Sequence, residues 1–199
     1  MNNPGYKSLE HLFISKVRIK TLRYFALNPE ATIHLRGAVR EFEEEINAVR
    51  RELNRLEETK FIICESKGNR KYFRVNIEHP FYNDMLSMFH KVYGLGGDII
   101  TNSKKIGEIQ FAFLTPTYTK GANNIEQHID LVVVGDVDLD ELESIVQKMQ
   151  SNKGREIHYM VLKPNEFALR KRRKDQMITD VLMQDNVMLI GNYEDLVRQ

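Results

Sequence analysis

Between residues 46 and 76 the spacing of apolar residues switches from a helical to a strand period, and this switch constrains the fold more than any other stretch. In "INAVRRELNRLEETK", Val49, Leu53 and Leu56 fall on one side of a helix, because residues three and four apart stack on the same face of a 3.6-residue turn. The following "FIICESKGNRKYFRVN" reads as two strands, "FIIC" and "KYFRV", around the polar turn Ser66-Lys67-Gly68-Asn69. Two more helical stretches precede the switch. "SKVRIKTLRYFALNPE" opens on Ser15 as an N-cap, spaces Ile19, Leu22, Phe25 and Ala26 helically and stops at Asn28-Pro29. "HLRGAVREF" adds Leu35, Ala38, Val39 and Phe42. The order is helix, helix, helix, hairpin.

Over residues 9–78 this order resembles a winged helix-turn-helix domain. The resemblance implies that the third helix enters the major groove of double-stranded DNA while the hairpin tracks the backbone or minor groove. Opposite Val49, Leu53 and Leu56 the sequence sets Asn47, Arg50, Arg51, Asn54 and Arg55. Arginine can bond a guanine edge with two hydrogen bonds and asparagine an adenine edge, and both can reach phosphate. Lys67, Arg70, Lys71 and Arg74, in or beside the turn of the hairpin, add charge where a backbone would pass. The charge distribution agrees in sign. Residues 1–78 hold 15 Lys and Arg against 11 Asp and Glu, and residues 79–199 hold 14 against 17, although the whole chain carries only +1. Glu43, Glu44 and Glu45 run against this pattern, and their place before the third helix is explained by the helix dipole.

"HPFYNDMLSMFHKVYGLGGDII" carries Phe81, Met85, Met88, Phe89 and Val92 at helical spacing and breaks at Gly94, Gly96 and Gly97. It reads as a linking helix, with the methionines as core filler. The expected organisation is therefore α+β: a DNA-binding domain over 1–78, a linking helix and Gly-rich connection over 79–104, and a small mixed-sheet α/β domain over 105–199. A homodimer is expected, since two linked half-sites multiply affinity.

In the second half "GEIQFAFLT", "QHIDLVVVG", "REIHYMVLK" and "NVMLIGN" read as strands. "DLDELESIVQKMQSN", with Leu139, Leu142, Ile145, Val146 and Met149 inward, and "NEFALRKRRKDQMITDVLMQD" read as helices. From Ile109 to Gly135 the pattern resembles the minimal nucleotidyltransferase domain, the DNA-polymerase-beta-like family. That resemblance implies a glycine-serine pair opening a helix, where backbone N–H groups cradle phosphate, and paired aspartates that hold a divalent metal. Here the pair falls on Pro116 and Thr117, the next basic-glycine step on Lys120 and Gly121, and the aspartates on His128 and Asp130. Pro116 has no N–H to offer, and histidine suits a hard oxygen-seeking ion poorly. A degenerate site with no catalytic residues follows. The same positions allow another expectation, that His128, Asp130 and His158 supply two imidazoles and a carboxylate to a softer divalent metal; a nucleotide ligand is the other cofactor candidate. "LRKRRKD", Leu169 to Asp175, is the densest charge run, either the outer face of a helix or a second nucleic-acid contact.

A single cysteine, Cys64, excludes an internal disulfide and reads as a strand residue. No apolar run approaches a membrane span and no signal peptide opens the chain, so a cytoplasmic protein without membrane contact is expected. The function expected is that of a sequence-specific transcriptional regulator, not an enzyme, whose second domain serves dimerisation or ligand sensing. The alternatives are an active nucleotidyltransferase that modifies a protein or RNA, and a protein-interaction scaffold that binds no DNA.

Overall fold

Ser15 starts the first of the anticipated helices: its side chain accepts a hydrogen bond from the Arg18 N–H at 3.3 Å. The computed structural model describes residues 4–121 and 129–198, and its chain divides into two units, Met1–Phe89 and His90–Gln199. The first unit contains α1 (Pro4–Leu12), α2 (Lys16–Leu27), β1 (Ile33–His34), α3 (Leu35–Phe42), α4 (Ile46–Glu58), β2 (Ile62–Lys67) and β3 (Arg70–Val75). Ile19, Leu22, Phe25 and Ala26 of α2 are buried with Ala38 and Phe42 of α3 and with Val49, Leu53 and Leu56 of α4. This is the helical stripe pattern expressed as a core. Leu35 and Val39 are only half-buried.

The three strands form an antiparallel sheet in the order β1-β3-β2. β2 and β3 extend to Lys67 and Arg70, which pair across a two-residue turn. The turn is thus Gly68-Asn69, shorter than the four-residue turn expected. Gly68 takes φ 60 at its first position, the conformation for which tight hairpins favour glycine there. Neither α1 nor β1 was expected. β1 is two residues long, too short for any periodicity, and exists because Ile33 and His34 pair with Phe73 and Tyr72.

The stretch after the hairpin departs from expectation in two ways. α5 (Tyr82–Val92) buries Tyr82, Leu86 and Phe89, whereas Phe81 lies before the helix and is exposed. Both sets have helical spacing, and the helix start chooses between them. Second, the glycines do not end the helical run. The chain breaks at Tyr93, and α6 (Gly94–Ile106) begins there with Gly96 and Gly97 buried inside it. A Cβ on Gly96 would lie 2.2 Å from the His90 carbonyl oxygen, so glycine is what lets α6 pass this close to the preceding turn.

The second unit continues with β4 (Gly107–Leu114), α7 (Pro116–Lys120), β5 (Leu131–Val137), α8 (Leu139–Lys153), β6 (Tyr159–Leu162), α9 (Pro164–Arg172), α10 (Gln176–Leu182), β7 (Val187–Ile190) and α11 (Tyr193–Val197). Its sheet has the order β6-β5-β4-β7, with β5 and β6 parallel and the other pairs antiparallel. Phe111, Phe113, Val132 and Val134 face a cluster with Phe167, Ile178, Val181 and Leu196. The intervening Ala112, Leu114, Leu131 and Val133 are equally buried, and α6 packs on β4 and α8. A strand covered on both faces needs a continuous apolar run, which accounts for "LVVV". Leu139 is exposed rather than inward, because α8 buries the stripe Leu142, Val146 and Met149 and Leu139 stands at the open end of the helix. The long helical stretch after β6 is two helices, divided where Asp175 caps α10 by accepting from the Ile178 N–H at 3.2 Å. Among the described residues no helix is long and apolar enough to cross a membrane.

Candidate functional site

α4 begins at a carboxylate cap. Glu45 accepts from the N–H groups of Asn47 at 2.8 Å and Ala48 at 3.0 Å, and the bond from Asn47 is the main cause that holds its carboxyl below the ordinary range. The neighbouring acids are also accounted for locally. Glu44 pairs with Lys20 at 2.7 Å, and Glu43 closes α3 in a left-handed conformation, φ 53. All three acids therefore have a partner or a capping role inside the unit.

Once started, α4 turns Val49, Leu53 and Leu56 inward and leaves Asn47, Arg50, Arg51, Asn54 and Arg55 exposed. A short relay runs along its first turns. The Asn47 amide donates to Glu45 Oε1 at 3.1 Å, and Arg50 donates to Asn47 Oδ1 at 3.0 Å. Glu52 behaves differently from the other charged residues of α4. It is buried, and Arg18 of α2 reaches it through Nε at 2.7 Å and a second nitrogen at 3.3 Å. Arg55 lies 3.8 Å from the same carboxylate. Glu52 thus ties α4 to α2 and partly neutralises Arg55.

The outer face of α4 borders a cavity of about 540 Å³. Arg50 and Asn54 line it from α4, Arg70 and Lys71 from the hairpin, and Leu53 and Phe73 form part of its apolar wall. Of the residues expected from sequence to meet DNA, these four polar ones are brought together. Asn47, Arg51, Arg55 and Lys67 are exposed but do not line the cavity. Sequence reading missed His34 and Arg36, which reach the same cavity from β1 and α3, and Asn69 from the hairpin turn. The pairing of His34 with Tyr72 that carries them there has no sequence period. The His34 ring also stacks on Tyr72, centroids 5.5 Å apart. The lining holds four basic side chains, Arg36, Arg50, Arg70 and Lys71, and no carboxylate. Glu57 stands nearby, 3.9 Å from Lys71, and accepts from the Cys64 thiol at 2.7 Å. That bond, with some burial, pushes the thiol's pKa up and disfavours the reactive thiolate.

In the second unit the sequence-predicted site residues do not converge: Asp130 is a buried carboxylate, and of the other described ones only the His158 backbone reaches it. Pro116 occupies the first position of α7, where a missing N–H costs nothing. The Thr115 N–H donates to the Asp130 carbonyl at 3.1 Å, and the Thr115 hydroxyl donates to the Ile129 carbonyl. Asp130 precedes β5 and is buried, with both carboxylate oxygens engaged. Oδ1 accepts from Arg155 at 2.8 Å and Oδ2 from the His158 backbone N–H at 3.0 Å. The Arg155 guanidinium also lies over the Tyr118 ring, 5.2 Å from its centroid, and burial pushes the Tyr118 phenol up to about 12. The His158 side chain is half-exposed, its Nε2 3.7 Å from Glu156. Thr117 is buried, Lys120 pairs with Asp185 at 2.8 Å, and Gly121 ends α7 at φ 67. His128 lies outside the described residues. Among the described residues no group of three or more His, Cys, Asp and Glu is placed to hold a metal ion. A divalent ion therefore does not fit the donors described here: the central carboxylate already faces a guanidinium and an amide.

No protein-family model matches the chain, and no curated protein matches it. Among solved structures, human N-acetylserotonin methyltransferase in complex with SAM aligns over 61% of this chain and 37% of its own, at 12% identity and a TM-score of 0.29. A superposition that loose carries no argument about fold or activity.

Proposed function

We propose that the protein is a sequence-specific regulator of transcription that binds double-stranded DNA through its first unit, a winged helix-turn-helix. The observation that carries this reading is the convergence of Arg50 and Asn54 from α4 with Arg70 and Lys71 from the hairpin on one carboxylate-free cavity. Helix side chains that can read base edges and hairpin cations that can hold phosphates stand side by side, which is the division of labour a duplex requires. Arg36 and His34 join the backbone contacts. Dimerisation would supply two such faces for a two-fold site.

The second unit, in this reading, is a nucleotidyltransferase-like fold without transferase chemistry. Its order of strand, short helix, strand, helix and parallel strand supports the likeness, and Arg155 supports the loss of function. A guanidinium already neutralises the one carboxylate left where a metal would need several. The unit is left with dimerisation or ligand sensing as its role.

Selection of bound fragments from a random duplex pool at near-physiological salt, with wild type and Arg50→Ala/Arg51→Ala compared, tests the proposal. Enrichment of a two-fold symmetric motif that the variant loses is the expected result. Absence of any enriched sequence from the wild type would refute it.

A further inference from the structure

The second unit holds more acidic than basic residues, 16 against 14 over residues 90–199, yet five of those cations stand consecutively at 170–174. The structure separates the five into two groups. Arg170 pairs with Glu166 one turn earlier at 2.7 Å. Lys171 turns inward and donates to the carbonyls of Leu196 and Arg198 at the end of α11, and its partial burial lowers its pKa. These two have structural work. Arg172, Arg173 and Lys174 are exposed, and no ion pair or side-chain hydrogen bond engages them among the described residues. Asp175, the nearest acid in sequence, caps α10 through Oδ1 and makes no ion pair with them.

A helix dipole accounts for cations within the last turn of α9, but not for those beyond it. Arg173 is already the C-cap, and Lys174 follows in the left-handed turn at φ 55. Three unpaired cations are thus gathered at the junction of two helices, on a unit whose net charge repels polyanions at long range. A duplex, with one negative charge per about 1.7 Å of its axis, complements such a cluster.

We propose that Arg172, Arg173 and Lys174 form a second contact with the phosphate backbone of double-stranded DNA. The proposal rests on the DNA-binding reading of the first unit and adds a sequence-independent hold to it. The turn carries no asparagine or glutamine and no paired hairpin, so it supplies charge and not base recognition.

The test is equilibrium binding of the full chain to labelled duplex, one with the selected motif and one scrambled, between 50 and 200 mM salt. Wild type is compared with Arg172→Gln/Arg173→Gln/Lys174→Gln and with Arg172→Glu/Arg173→Glu, and circular dichroism confirms folding of each. Loss of three phosphate contacts lowers the slope of log K against log salt by about 2.7. The triple variant should then lose about 40-fold less affinity than wild type over that salt range. The reduction should be equal on both duplexes, with the motif preference intact and a larger effect for the Glu variant. A slope unchanged in both folded variants overturns the proposal. The two readings fail separately: duplex binding without motif preference, still weakened by the Gln variant, removes the base-reading groove and leaves this contact standing. Tighter binding of an oligoglutamate peptide than of duplex, lost in the same variant, would overturn the proposal in favour of an acidic protein partner.

Discussion

Replacing Asp130 by Asn separates a structural carboxylate from a metal-holding one. In the structure the side chain is 2% exposed and accepts two hydrogen bonds, one from Arg155 and one from the His158 N–H. The amide keeps the shape but has one acceptor oxygen, so its NH2 must face one of two donors. A hydrogen bond to a charged group contributes about 1.5–3 kcal/mol. The Arg155 side chain is 41% exposed, so solvent screening puts its share at the lower end. The sum is about 2–3 kcal/mol of destabilisation. For a unit of about a hundred residues, each kcal/mol moves the midpoint by about 4 °C, so the second unit should melt about 10 °C earlier. Thermal unfolding followed by circular dichroism, with and without 5 mM Mg²⁺, reads this out. Asp130→Asn/Arg155→Gln should be less destabilised than the two single changes added together, because the partners interact directly. The reasoning is refuted if Asp130→Asn melts at or above the wild-type temperature while Mg²⁺ raises only the wild-type midpoint. A carboxylate kept for a metal would behave in that way, since its removal relieves repulsion in the metal-free protein.

Three further perturbations have defined outcomes. Arg50→Ala or Asn54→Ala should cost about 1–3 kcal/mol on the preferred duplex and relax preference at one base pair, whereas Lys71→Ala should weaken all duplexes alike and lower the salt slope by about 0.9; anisotropy titrations on matched and mismatched sites distinguish these. Gly96→Ala drives a methyl against the His90 carbonyl oxygen, which a Cβ there would approach to 2.2 Å, and should destabilise the second unit by about 1–3 kcal/mol in urea unfolding. The Cys64 pKa is raised in the folded state, so the stability it contributes is complete below the unfolded thiol pKa and is lost as pH rises through the folded one. Iodoacetamide should accordingly modify the folded chain more slowly than the unfolded chain at pH 8, and Glu57→Gln should accelerate the reaction by removing the carboxylate that favours the thiol.

The helices α2 and α4 and the hairpin were legible because each satisfies one local rule over many residues: a stripe, a cap, or a period of two around a glycine turn. The candidate groove was half legible for the same reason. A helix period places Arg50 and Asn54 on an outer face, and alternation brings Arg70 and Lys71 near the hairpin turn, but only the pairing of β1 with β3, 39 or so residues apart in sequence, carries His34 and Arg36 to the same cavity. Long-range pairing of two residues leaves no local trace. Charge was the least legible property. Glu52 has the sequence context of a solvated helix face, yet it is buried because Arg18, in another helix, meets it with two nitrogens. Asp130 follows the same logic with Arg155, 25 residues away. An ionised group can leave water only where a partner at hydrogen-bonding distance replaces hydration. The place of such a residue is therefore set by the partner's position in the fold and not by its own neighbours in the chain. That also explains why "RKRRK" reads as one feature in sequence and as two in space: Arg170 and Lys171 have found acceptors, and Arg172, Arg173 and Lys174 have none among the described residues.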